Sequence, residues 1–158
     1  MILVENVMTR EVEACGPEEN VSAAASIMWR RDCGVVPIVD EERRVVGIVT
    51  DRDICMALAT RPQVASEVRV AEVMSREVRC CNAVDDIQEA LETMRRERLR
   101  RLPVVDGGGK LAGMLSVSDI VLHSERGKGK RHVSHREAMS LLKAICQPHE
   151  EPAISFDV

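Results

Sequence analysis

Aromatic side chains are nearly missing from this chain: it has no tyrosine, and Trp29 and Phe156 are its only aromatic residues. Two rings cannot build the base-stacking platform that single-strand nucleic-acid binders use, so a flat ligand would have to lie between aliphatic side chains. An excess of positive charge is missing too. Twenty-two Lys and Arg against 26 Asp and Glu leave a net charge of −4, unlike the basic balance of a general nucleic-acid binder. No apolar run approaches the ~18 residues of a membrane span. The N-terminal MILVENVMTREVEA lacks the basic-then-apolar order of a secretory signal. The six cysteines form no CxxC pair and sit mostly in apolar runs, so they read as small buried hydrophobes of a reducing compartment. Together these absences predict a cytoplasmic protein without a membrane partner, and they count against nucleic acid as a partner.

What the chain does have is a repeat. Its 158 residues are 45% apolar, enough to bury a core in one compact domain or two small ones. Sliding the sequence by 66 positions aligns residues 5–57 with 71–123 without a gap, and 15 of the 53 pairs are identical. Unrelated segments would share about three or four at ordinary residue usage. Each copy reads β-α-β-β-α. VMTREVEAC and VMSREVRCC end in strands. Val21, Ala24, Ala25 and Met28 fall at helical spacing in the first copy, and Ile87, Ala90, Leu91 and Met94 in the second. Asp86 and Glu89 suggest a capping box. VVPIVD and LPVVD are strands with a proline near the start, EERR and GGGK are hairpin turns, and VVGIVT and LAGMLS return. The spans are 1–66, 67–124 and a tail at 125–158. A unit of ~55 residues buries too little surface alone, so the two copies should pack together with pseudo-twofold symmetry.

The repeat closes on GIVTDRDI and GMLSVSDI. Thr50 with Asp53, and Ser116 with Asp119, fit helix caps with a reciprocal acid three residues on. The same geometry suits a ribose phosphate: free N–H groups at a helix N-terminus for the phosphate, a hydroxyl, and a carboxylate that can accept from a vicinal diol. A cap and a ligand site are compatible readings.

These motifs, with the VMT and VMS openings and the GVVPIVD and RRLPVVD strands, resemble the CBS domain, and the chain to His123 resembles a CBS domain pair (Bateman module). The resemblance implies an α/β fold of tandem CBS domains with clefts between the units, followed here by a C-terminal helix. It implies no catalysis, but a regulatory ligand of the adenosine class (AMP, ADP, ATP, NAD or S-adenosylmethionine), a homodimer, and action on a separate target protein. Carried residue by residue, it puts ribose on Asp53 and Asp119, ribose or phosphate on Thr50 and Ser116, and phosphate on Arg52 and Ser118. Adenine would lie against Val35, Val36, Arg101 and Leu102. Thr9 and Ser75 are further candidates. The alternatives are a nucleic-acid-binding module, or a protein-interaction module with no nucleotide.

Arg95, Arg96, Arg98, Arg100 and Arg101 form a basic cluster that reads mainly as a solvated helix end, with one or two reaching phosphate. Gly107–Lys110 lacks the spacing of a phosphate loop. SERGKGKR reads as a flexible basic linker. Beyond it, Ser134 and Glu137 make a capping box for a helix with Ala138, Leu141, Leu142 and Ile145 on one face, which must pack on its own module or on a partner. EPAISFDV reads as extended or loose. His132, His135, Cys146 and His149 carry ligand-like spacings, but ~11 helical residues separate the two pairs by about 16 Å, too far for one zinc site within a chain and leaving only a site between subunits open. No nucleophile–base pair or metal triad suggests an enzyme.

Overall fold

The computed structural model describes residues 1–127 and 132–148. In the first unit, Asn20 caps helix α1 (Val21–Arg31) by accepting from the Ala23 amide at 3.1 Å. The helix stops where Asp32 turns left-handed, at φ 48°. It buries Val21, Ala24, Ile27 and Met28. Ile27 takes the place expected for Ala25, which is exposed, because the buried stripe is centred between Ala24 and Met28 rather than on the Val21–Ala25 edge. Strands β1 (Val35–Val39) and β2 (Val45–Thr50) form an antiparallel hairpin, and α2 (Asp51–Thr60) follows without a break.

The second unit repeats the plan with β3 (Cys81–Asn82), α3 (Ile87–Arg96), the β4 (Arg101–Val105)–β5 (Leu111–Ser116) hairpin and α4 (Val117–Leu122). Its four predicted core positions on α3 are all buried. Asp86 caps α3 by accepting from Gln88 at 3.1 Å, without the reciprocal bond expected from Glu89. The opening strand is short: two residues of β3 pair with β4, and in the first unit Cys15 alone bridges to Ile38. Pro37 and Pro103 stand third in their strands rather than first. Each is tolerated because its nitrogen lies beyond the short opening strand, which pairs only from Ile38 and Val104 onward. Both hairpin turns use one device. Oδ1 of Asp40 accepts from the amides of Glu42 and Arg44, and Oδ1 of Asp106 from Gly108 and Lys110. The turn then needs a left-handed residue, supplied by Arg43 (φ 64°) and Gly109 (φ 76°).

The units exchange their opening segments. Val4, Val7 and Met8 join the core of the second unit with Ile87, Leu91, Met94, Leu102, Leu115 and Ile120. Val68, Val70 and Met74 join the core of the first, with Val21, Ile38 and Val49. The exchange is reciprocal, as a twofold relation requires. Thr9 pairs with Met114 and Ser75 with Ile48, while Leu3 bridges Asp86 and Asn20 bridges Arg69; each pair maps onto the other by the 66-residue shift. This crossing explains the glycine of the repeated motif. A Cβ at Gly113 would stand 2.6 Å from the Thr9 carbonyl oxygen, and one at Gly47 would stand 2.5 Å from the Met74 sulfur.

The tail folds back on its own chain. Ser124–Glu125 (β6) and Val133–Ser134 (β7) pair in parallel, so the stretch predicted to be wholly flexible begins as a strand; residues 128–131 lie outside the described residues. The Ser134–Glu137 box opens α5 (His135–Cys146), and Val133, Ala138 and Leu141 complete the core of the second unit. EPAISFDV and His149 lie outside the described residues. Among the described residues no helix is long and apolar enough to cross a membrane.

Candidate functional site

The two acid–hydroxyl pairs form the predicted boxes. Oδ2 of Asp53 accepts from the Thr50 amide (2.8 Å) and hydroxyl (2.7 Å), and the Asp53 amide donates back to the Thr50 oxygen (3.2 Å). Asp119 does the same with Ser116 at 2.7, 2.6 and 3.2 Å. The second acid has one partner more. The Thr9 hydroxyl, from the opening segment of the first unit, donates to its Oδ1 at 3.0 Å.

A cavity of about 350 Å3 opens on that acid, within the size range of small-molecule sites. Thr9, Val35, Arg101, Ser116, Ser118 and Asp119 all line it. Val35 and Arg101 begin equivalent strands of the two hairpins, and register places Arg101 opposite Ser116, so the wall draws on both units. Arg101 makes no ion pair among the described residues.

Other candidates fall elsewhere. Thr50, Arg52 and Asp53 do not line this cavity. The side chains of Val36 and Leu102 are wholly buried in the two cores. Neither residue lines the cavity, against the expectation that their side chains face adenine, because both side chains turn into the core. The expected phosphate cradle is corrected as well. At the start of α2 the Asp51, Arg52 and Asp53 amides already donate to Gly34, Asp51 and Thr50. At the start of α4, Val117 and Asp119 donate to Arg100 and Ser116. The chain itself satisfies the first three amides of α2 and, at α4, those of Val117 and Asp119.

The basic cluster divides. Arg95 pairs with Glu92, Arg96 with Glu97, and Arg98 donates to the Pro148 carbonyl. Only Arg101 of the five lines the cavity. Sequence reasoning missed Glu11, Glu13, Arg31, Asp32 and Cys33, which line the rest of the wall. The signal was available in WRRDCGVV, the stretch where the copies diverge most. Glu13 bonds Arg30 and Arg31, and the Arg30 guanidinium foremost holds its carboxyl below the ordinary range. Burial pushes the thiols of the equivalent residues Cys15 and Cys81 up to about 11 and about 12, which leaves both protonated and unreactive. Among the described residues no group of three His, Cys, Asp or Glu could hold a metal; His149 lies outside them.

Against known proteins, the CBS domain family matches residues 4–60 and 70–126. Inosine-5′-monophosphate dehydrogenase of Methanocaldococcus jannaschii is 30% identical over 92% of this chain, but the chain spans only 28% of the dehydrogenase's length. Hypoxic response protein 1 of Mycobacterium tuberculosis is 30% identical over 94% of this chain and 96% of its own. Among solved structures, the CBS domain pair of protein MJ0100, in complex with 5′-methylthioadenosine and S-adenosyl-L-methionine, is 26% identical and covers 76% of this chain and 93% of its own with a TM-score of 0.67. Two family matches that follow the internal repeat, on a fold that reproduces a solved domain pair, show that this chain belongs to the CBS domain family and carries two such domains in tandem.

Proposed function

We propose that the chain is a regulatory module that binds an adenosine compound and acts on a separate protein, with the Asp119 cavity as its principal site. The observation that carries this is the convergence of Asp119, Ser116, Thr9 and Arg101 on one cavity walled by both units. A carboxylate with an oxygen toward the cavity accepts from a ribose diol, flanking hydroxyls complete the polar edge, and Val35 supplies an aliphatic face for the base. Because Thr9 and Val35 belong to one unit and Arg101 and Asp119 to the other, a bound ligand favours one relative placement of the units. That differential affinity is what regulation needs. The domain pair of MJ0100, bound to two adenosine compounds, supports the ligand class. Thr50, Arg52 and Asp53 form a second, weaker site, and a homodimer is the assembly in which the response reaches its target.

The test is calorimetry with AMP, ADP, ATP, NAD and S-adenosylmethionine on the native chain, Asp53→Ala and Asp119→Ala. Both substitutions break the same capping box, so both cost about 0.5–2 kcal/mol of stability. Binding should weaken at least tenfold in Asp119→Ala and far less in Asp53→Ala. Equal losses would remove the priority of the Asp119 cavity. No heat with any of the five would leave the boxes as caps only, in a module that works through protein contacts.

A further inference from the structure

We propose that the Asp119 cavity selects its adenosine ligand by charge, taking compounds whose 5′ substituent is neutral or cationic and rejecting polyphosphates; this rests on reading the cavity as an adenosine site. Its wall carries four carboxylates, Glu11, Glu13, Asp32 and Asp119, against two guanidiniums, Arg31 and Arg101, a balance of 2 − 4 = −2. Glu13 is already taken up by Arg31, whose Nε donates to Oε1 at 2.5 Å, and by Arg30, which does not line the cavity. What faces a ligand is therefore Arg101 alone against three carboxylates.

Backbone donors do not offset this. The neighbouring helix α4 has six residues, and the Val117 and Asp119 amides are consumed by Arg100 and Ser116. The Ser116 amide is consumed by Asp119 itself. A phosphate chain would meet one guanidinium and the amide and hydroxyl of Ser118, inside a field that opposes it. Two net charges at ~8 Å in a water-like dielectric disfavour each added negative charge about fivefold before screening. A sulfonium or a neutral thioether on the same adenosine escapes that penalty, and the sulfonium gains from it.

The experiment is calorimetry on the full chain in an Asp53→Ala background, which removes the acid of the other motif. Three ligands share one adenosine: 5′-methylthioadenosine (neutral), S-adenosylmethionine (cationic sulfonium) and ATP. At low ionic strength, about 20 mM, S-adenosylmethionine and 5′-methylthioadenosine should each bind at least tenfold more tightly than ATP. Raising the salt to about 300 mM should narrow the gap. Glu11→Gln combined with Asp32→Asn, both exposed positions, should narrow it at low salt by changing ATP binding more than binding of the neutral ligand. Equal binding of ATP and 5′-methylthioadenosine at low salt overturns charge selection and leaves the adenosine reading standing. So does a ratio that the double substitution does not move. Failure of all three ligands to bind overturns both.

Discussion

The segments Thr50–Asp53 and Ser116–Asp119 are the same local structure built twice. Their corresponding hydrogen bonds agree within about 0.1 Å, as expected where both are set by the same box within four residues. They differ in what the opposite unit brings. Thr9 reaches Asp119 with its hydroxyl, whereas Ser75, its counterpart, meets the Ile48 backbone through its own backbone. Local sequence made the two sites alike; the exchanged segments made them unequal.

The largest effect that would sharpen this contrast comes from the paired glycines. Gly113→Ala drives a methyl into the Thr9 carbonyl at 2.6 Å. That backbone cannot yield easily, since Thr9 and Met114 exchange two hydrogen bonds of 2.9 Å. It should cost about 1–3 kcal/mol. Gly47→Ala meets mainly the thioether of Met74, a side chain that can swing aside, and should cost less than about 1 kcal/mol. Denaturant midpoints of the two variants measure the difference, and equal losses would mean that both crossings are equally rigid.

Next in size is the Thr9 bond. Thr9→Val keeps the shape and removes the donor to Asp119, and should cost about 0.5–1.5 kcal/mol. Ser75→Ala should stay within about 0.5 kcal/mol. The same assay decides it, and a Thr9→Val variant as stable as the native chain would reduce the bond to a bystander. The hairpin turns come third, with opposite signs. Arg43 holds a left-handed conformation at φ 64° that Gly109 holds freely. Arg43→Gly should therefore stabilise, and Gly109→Ala destabilise, each by up to about 1 kcal/mol.

Much of this was legible in the sequence. The tandem units, both hairpins, both acid boxes and the apolar face of α5 follow from periodicity and capping chemistry that act within a few residues. The cavity was legible only in part. Val35, Arg101, Ser116, Ser118 and Asp119 came from motif positions, yet Glu11 and Glu13 reach the same wall just after Thr9, where the opening segment crosses to the other unit, and Asp32 reaches it from the end of α1. A 66-residue shift reveals that two segments are equivalent, not that they trade places. Val36 and Leu102 were misplaced for a related reason: the motif gives the strand, but only the sheet gives which side faces the core. The first amides of α2 and α4, those of Asp51 and Val117, looked free for phosphate because their acceptors, Gly34 and Arg100, lie outside the motif.

The smallest predicted effect tests the wall itself. Glu13 stands where the second unit has Arg79, so only the first unit has this acid with its two arginine partners. Arg30, and then Arg31, lower its carboxyl below the ordinary range. A carboxyl depressed in the folded state adds stability above its unfolded pKa and loses it as pH falls through the folded value. The contribution should be present at neutral pH, begin to fall near pH 4.5, the ordinary value for Glu, and be gone once the pH has passed below the lowered folded value. Because the pair is exposed to solvent, the change should be small and weaker in high salt. Urea midpoints followed from pH 7 down to about pH 3 should show the native chain losing slightly more stability than Glu13→Gln. If the curves are parallel, Arg30 and Arg31 do not hold Glu13 in solution. Arg31 would then face the cavity as a second cation and Glu13 as a fourth carboxylate, which leaves the wall at the same 2 − 4 = −2 but with two guanidiniums open to a ligand.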